Sequence, residues 1–242
     1  MKCINLLVLF SLSVCCMGQI PMLDPYYNPL PAVVTPGSLS PDGGMSAPSD
    51  AIPLFNGKDL SEWKGKDGTP QWTVHDGMVT VKEGTGDIST KREFGDFQLH
   101  IEWMHPANIT GEDQMRGNSG IYLHDLYEIQ VLDNYNNNNK TYVNGQAGAI
   151  YKQHSPLVNP LREPGKWNAV DVIFTAPTFN PNGTYRTNPL VTVLLNGVLI
   201  HNNAVIYGAT ASDKVVEKLK GGITLQDHGC EVNYRNIWIR EL

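Results

Sequence analysis

Three stretches of the chain set carboxylates, imidazoles and amides at alternate positions among apolar residues. His100 and Glu102 face one way along 97–103, opposite Leu99, Ile101 and Trp103; Glu128 and Gln130 do so opposite Tyr127, Ile129 and Val131; Gln226 and His228 lie opposite Leu225. Successive side chains of a strand point to opposite faces, so each stretch has one face for a core and one for solvent or a ligand. A solubilised face would carry mostly Lys, Glu and Thr. Carboxylates, imidazoles and amides instead supply paired donors and acceptors, which is what sugar hydroxyls require. Trp238 shares its face with Asn236 and Arg240 and is expected to be an exposed stacking platform, whereas Trp103 is assigned to the core.

The elements that must position these groups are strands. Alternation marks 97–103, 127–132 and 235–240; further strands are expected at 72–81, 120–124, 170–175 and 190–195, the last turning at Asn196-Gly197 into 198–201. Only 212–220 has the spacing of a short helix. Many short strands with Gly and Asn turns predict an all-β fold, an antiparallel β-sandwich. Asp171, in phase with Ala169 and Ile173, is expected to be a satisfied polar residue inside it.

The 242 residues are 41% hydrophobic and 17% charged, enough for one sizeable core. The net charge of -6, with no basic stripe, argues against nucleic acid as a partner. An apolar run at 3–17 follows Lys2 and ends in compact residues, which is the order of a secretory signal; it falls short of the roughly 20 residues of a membrane span. Residues 1–18 are therefore expected to be removed and the chain exported to the periplasm or beyond, a lipid anchor at Cys15 or Cys16 being the competing reading. Residues 19–52 are Pro-rich without Lys or Arg and read as a tether, leaving 53–242 as one domain. Cys230 is then the one cysteine of the mature chain, so no intramolecular disulfide is expected and the core must hold the fold.

Several motifs occur in order along the chain: LFNGKDLSEW at 54–63, IEW at 101–103, GNSGIYLHDLYEIQVLD at 117–133, GKWNAVDV at 165–172 and LQDHGCEVNYRNIWIREL at 225–242. With these the chain resembles the 3-keto-disaccharide hydrolase domain family, secreted bacterial proteins with a concanavalin A-like fold. The resemblance implies a jelly-roll sandwich that cleaves glycosides already oxidised at carbon 3, with a sugar 3-dehydrogenase acting upstream. A ketone at carbon 3 acidifies the proton on carbon 2, so a base can remove it and the oxygen on carbon 1 leaves by elimination; water then adds back, or the unsaturated sugar is released as by a lyase.

Within that reading Glu128 and His228 are the candidates for acid and base, and Glu102, Arg116, Asn118, Gln130 and Gln226 for contacts to hydroxyls or the ketone, with Trp238 as platform. A divalent cation polarising the enolate would suit Glu102 or Glu128 with His228, but no compact ligand spacing is present and no metal or other cofactor is named. Glu128-x-Gln130-x-Leu132 departs from the E-x-D-x-E strand of jelly-roll endoglucanases, which argues against ordinary retaining chemistry. A non-catalytic carbohydrate-binding module is the alternative reading.

Overall fold

Period-two patterning becomes two antiparallel sheets packed face to face. A computed structural model describes residues 44–210 and 216–242. In chain order the strands are β1 (Ile52–Phe55), β2 (Trp63–Gly65), β3 (Thr73–His75), β4 (Met78–Thr80), β5 (Ile88–Thr90), β6 (Phe97–Met104), β7 (Ser119–Leu123) and β8 (Tyr127–Val131). They continue with β9 (Asn168–Thr175), β10 (Thr178–Phe179), β11 (Tyr185–Thr187), β12 (Leu190–Leu195), β13 (Val198–Val205), β14 (Ile223–Leu225) and β15 (Asn233–Glu241). Among the described residues helical structure is limited to 3-10 turns, and no helix is long and apolar enough to cross a membrane.

The larger sheet has the order β13-β12-β9-β6-β15-β4-β3, with β1 also on β15; the smaller has the order β2-β5-β14-β7-β8. Trp63, Ile88, Ile121, Ile129, Ile223 and Leu225 from the smaller sheet meet Leu99, Ile101, Val170, Val172, Val193 and Ile239 from the larger in one buried cluster. Trp63 is fully buried and donates from Nε1 to Leu54 O at 2.7 Å, so it both fills the core and ties down β1. Truncating such a residue to Ala costs about 3–5 kcal/mol. The all-β antiparallel sandwich expected from the patterning, and the jelly roll that the resemblance implies, are the fold observed.

Three local expectations are corrected. Residues 72–81 form the hairpin β3–β4, not one strand, because Asp76 and Gly77 both take positive φ (48° and 76°), the two-residue turn that Asp-Gly favours. Asp171 faces outward from β9 with its side chain 31% exposed, since Val170 and Val172 take the core positions on either side. Of the helix expected at 212–220, residues 212–215 lie outside the described residues and 216–220 are not helical. The predicted Asn196-Gly197 turn is present, with φ of 52° and 76°.

The part of the Pro-rich segment that is described does not stand free. Residues 44–51 lie along the outer face of the larger sheet, where Met45 O accepts from Asn236 Nδ2 (2.9 Å) and Trp238 Nε1 (3.1 Å), and Asp50 pairs with Arg240. Ile52 then enters β1. The remainder of the proposed tether and the signal-like segment lie outside the described residues.

Candidate active site

The non-core face of the smaller sheet is built from two cross-strand rows. Register pairs Glu128 with Tyr122, Tyr122 with Thr224, Thr224 with Ser89 and Ser89 with Lys64. The second row pairs Gln130 with Gly120, whose carbonyl accepts from Gln226 N at 3.0 Å. Asn118 lies on the same face two residues before Gly120. Four of the residues singled out in the sequence, Glu128, Gln130, Asn118 and Gln226, are thus gathered on one surface by β7, β8 and the end of β14.

Glu128 is 3% exposed. Burial pushes its carboxyl up, the Tyr122 hydroxyl hydrogen-bonded to it pulls it back, Asp87 pushes it up again and the Lys152 ammonium lowers it, leaving it at about 7. A carboxyl at that value can take a proton and return it near neutral pH. Tyr122 itself is held well above the usual phenol range by burial and by the Glu128 charge, so it stays a donor. Its oxygen in turn accepts from Gln226 Nε2 at 3.0 Å. In the amide orientation that satisfies its neighbours, Gln130 donates to Glu128 at 2.9 Å and to Ser119 O at 3.0 Å.

Room for this arrangement comes from Gly120. A methyl group there would sit 2.6 Å from Glu128 Oε1 and 2.9 Å from the Tyr122 ring. Two buried oxygens, Asn118 Oδ1 and Gln226 Oε1, have no hydrogen-bond partner. Such groups cost free energy until something donates to them. The opposite rim carries Tyr142 and Tyr151, whose hydroxyls meet at 2.5 Å, and Lys152 Nζ lies 5.2 Å from the Tyr151 ring centroid. Tyr151 is fixed beside β8 because its N–H donates to Glu128 O at 3.0 Å.

His228 stands exposed in the loop after β14, where its charge is felt by Asp87. Asp87 is anchored by Asp227 N at 2.9 Å, and its carboxyl is raised, first by burial. Arg116 lies just before the start of β7, bound through Nε to Asp133 Oδ2 at 2.7 Å and through its terminal nitrogen to Ile109 O and Gly111 O.

Glu102 and Trp238 do not join this surface. Both lie on the outer face of the larger sheet, across the core, because β6 and β15 belong to that sheet. Glu102 accepts from Arg235 Nε at 2.6 Å and Asn236 Nδ2 at 2.7 Å and contacts His100 Nε2 at 3.4 Å. Trp238 is 1% exposed and stacked on His100 beneath Met45, so the expected platform is a buried prop. Glu102 therefore cannot share a cation with Glu128 or His228. Among the described residues no group of three or more His, Cys, Asp or Glu side chains is gathered as metal ligands.

Tyr122, Asp87, Tyr151 and Lys152 were not singled out from sequence. Tyr122 had a readable signal, since it alternates with Gly120 toward the face of Glu128 and Gln130. Asp87, in the loop before β5, had none, and neither did Lys152, whose place depends on a chain reversal at 148–151 that pairs with β8.

Fold and site together define a jelly-roll sandwich with a buried carboxyl amid amides on the outer face of its smaller sheet. Residues 50–240 match the model of the 3-keto-alpha-glucoside-1,2-lyase-like domain, and the chain belongs to that family. A 3-keto-disaccharide hydrolase of Bacteroides thetaiotaomicron is 25% identical, over 82% of this chain and 81% of its own. A solved Parabacteroides distasonis protein, described as a "putative glycosyl hydrolase", is 56% identical with a TM-score of 0.85, covering 90% of this chain and 94% of that one. A second protein of that organism, similarly described, has a TM-score of 0.58 at 23% identity, covering 78% and 92%.

Proposed function

We propose that the protein cleaves the glycosidic bond of 3-keto-glycosides by elimination, with Glu128 as the base. The observation that carries this is a buried carboxyl held at about 7 amid amides on the outer face of the smaller sheet, in a chain of the 3-keto-alpha-glucoside-1,2-lyase-like family. Glu128 takes the proton from carbon 2, and the electron pair becomes the enolate of the carbon 3 ketone. The enolate re-forms the ketone as the bond from carbon 1 to the glycosidic oxygen breaks, leaving a double bond between carbons 1 and 2. His228, at the margin of the face, is assigned the proton delivered to the leaving oxygen. Water adding at carbon 1, with a proton returned to carbon 2, completes net hydrolysis; release before that step is the lyase outcome.

Lys152 is the positive group beside Glu128 that can hold the enolate charge, while the Gln130 amide, donating to Glu128 and Ser119 O, keeps the carboxyl in place. Gln226 Oε1 and Asn118 Oδ1 can only accept, so they suit sugar hydroxyls and not the ketone oxygen. The chemistry requires a sugar 3-dehydrogenase to have acted first. Export follows from the signal-like segment 1–18 and is tested by sequencing the amino end of the protein recovered from the native envelope and medium.

The test of function is mass-spectrometric product analysis with a 3-keto-glucoside and its unoxidised parent, each with and without chelator. Cleavage of the keto compound alone is expected. An intact keto substrate with folded protein would sink the proposal.

A further inference from the structure

Beyond the Glu128 face, a polar cavity of about 650 Å³ opens at the far end of the β7–β8 hairpin, with Asp113, Arg116, Asp133, Tyr135, Asn139 and Lys140 in its wall. It lies within the 300–1,000 Å³ range of ligand sites. We propose that it is a saccharide subsite, which binds a neutral sugar unit of the substrate remote from the bond being cleaved.

The cavity is built and not a gap between loose loops. Asn139 is buried and clasps the 3-10 turn Asp113–Met115 from both sides, accepting from Asp113 N (2.8 Å) and donating to Asp113 O (2.9 Å) and Asp133 O (3.0 Å). Asp133 holds Arg116 and also caps the next turn by accepting from Tyr135 N at 3.1 Å. Asp113, Asn136 and Asn137 all carry positive φ, 50°, 53° and 56°. Asp and Asn take up that conformation readily in turns, so these residues fix tight reversals beside the cavity.

Its chemistry selects a neutral polyol. Glu112, Asp113 and Asp133 outnumber Arg116 and Lys140, and the Arg116 guanidinium is already committed to Asp133, so an anionic ligand is disfavoured. Amides, carboxylates and an ammonium beside Tyr135, which is 37% exposed, offer hydroxyl partners and a ring face.

The link to Glu128 is Gln114. It follows Asp113 directly, and its side-chain amide meets that of Gln130 at 2.8 Å and lies 3.4 Å from Asn118 Nδ2. Glu128 and Asp133 are five residues apart, roughly 17 Å along the hairpin at about 3.4 Å per residue. Only the outer part of an extended glycoside can reach across that span, so the subsite reads substrate length. This deepens the reading of the Glu128 face and rests on it for the word substrate.

The experiment is calorimetric titration of the full chain, and of its Tyr135→Ala and Asn139→Ala variants, with methyl glucoside, maltose, maltotetraose and cellotetraose. At least one tetrasaccharide is expected to bind ten-fold or more tighter than methyl glucoside, with the advantage cut to under three-fold by Tyr135→Ala; amide NMR shifts should fall at Gly111 and Lys140. Turnover of a 3-keto methyl glucoside by Tyr135→Ala is expected to match wild type. Equal affinity at all lengths, an absence of binding by every probe, or a length effect that survives both variants overturns the subsite. Length-dependent binding without turnover of any keto-glycoside would instead overturn the catalytic reading and leave the subsite standing.

Discussion

Tyr122 and Glu128 occupy directly opposed positions of β7 and β8, and the tyrosine hydroxyl hydrogen-bonds to the carboxyl while accepting from Gln226. The three side chains form a hydrogen-bonded relay with one acceptor left over. The free end is Gln226 Oε1, buried and without a partner.

If Glu128 is the base, the reaction needs it ionised, so kcat/KM should rise with pH through about 7 and level off above. Glu128→Gln should lose at least a hundred-fold in kcat. A wild-type profile with its acid limb near the ordinary carboxylate range would remove Glu128 from this role.

The same residue carries a stability cost. A carboxyl whose folded value is raised contributes stability that is full below its unfolded value near 4.5 and is lost as pH rises through about 7. The ionised form is disfavoured by about 3 kcal/mol in the fold. Glu128→Gln should therefore raise Tm near pH 8, with the gain vanishing below about pH 4.5, as thermal melts across pH will read.

Charge removal on either side of Glu128 should move its titration in opposite directions. Asp87 raises the carboxyl and Lys152 lowers it. The acid limb should shift down in Asp87→Asn and up in Lys152→Met, with Lys152→Arg restoring it. Shifts of one sign in both variants would mean that their effect on Glu128 is not electrostatic.

Gly120→Ala tests the space instead of the charge. The added methyl group would meet Glu128 Oε1 at 2.6 Å and the Tyr122 ring at 2.9 Å, so one must move. A ten-fold or greater fall in kcat is expected, with the circular dichroism of the sandwich unchanged; full activity would show that the carboxyl needs no fixed seat.

On the opposite face, burial lowers the His100 imidazole but Asp171 at 2.7 Å and Glu102 more than offset it, holding it at about 9. A base raised in the fold contributes stability that is full below about 6.5 and is lost as pH rises through about 9. His100→Gln should cost on the order of 3 kcal/mol at pH 6 and much less at pH 10, read by urea unfolding at both.

Side-chain parity was legible in the sequence, but sheet membership was not. His100, Glu102, Glu128 and Gln130 each point away from the core as their alternation requires. Alternation is a property of one strand, however, and which outer face a strand supplies depends on pairings between distant residues such as Trp238 with His100 and Thr224 with Tyr122. That is why Glu102 and Trp238 were grouped with Glu128 from sequence and are separated from it by the whole core. The three-residue strands β2, β5 and β14 are too short to show a period, and Asp87 and Lys152 reach the site from loops. Asp76-Gly77 was a readable turn that the surrounding valines concealed within a longer apolar stretch.

The strap at Met45 gives the domain a front and a back. Its backbone rests on Asn236 and Trp238, and a side chain at Gly44 would collide with the Glu102 carboxylate, so the chain reaches the sandwich on the side turned away from Glu128. The strap itself, from residue 44 onward, thus leaves the Glu128 side uncovered, and a bulky glycoside can dock there without first displacing it.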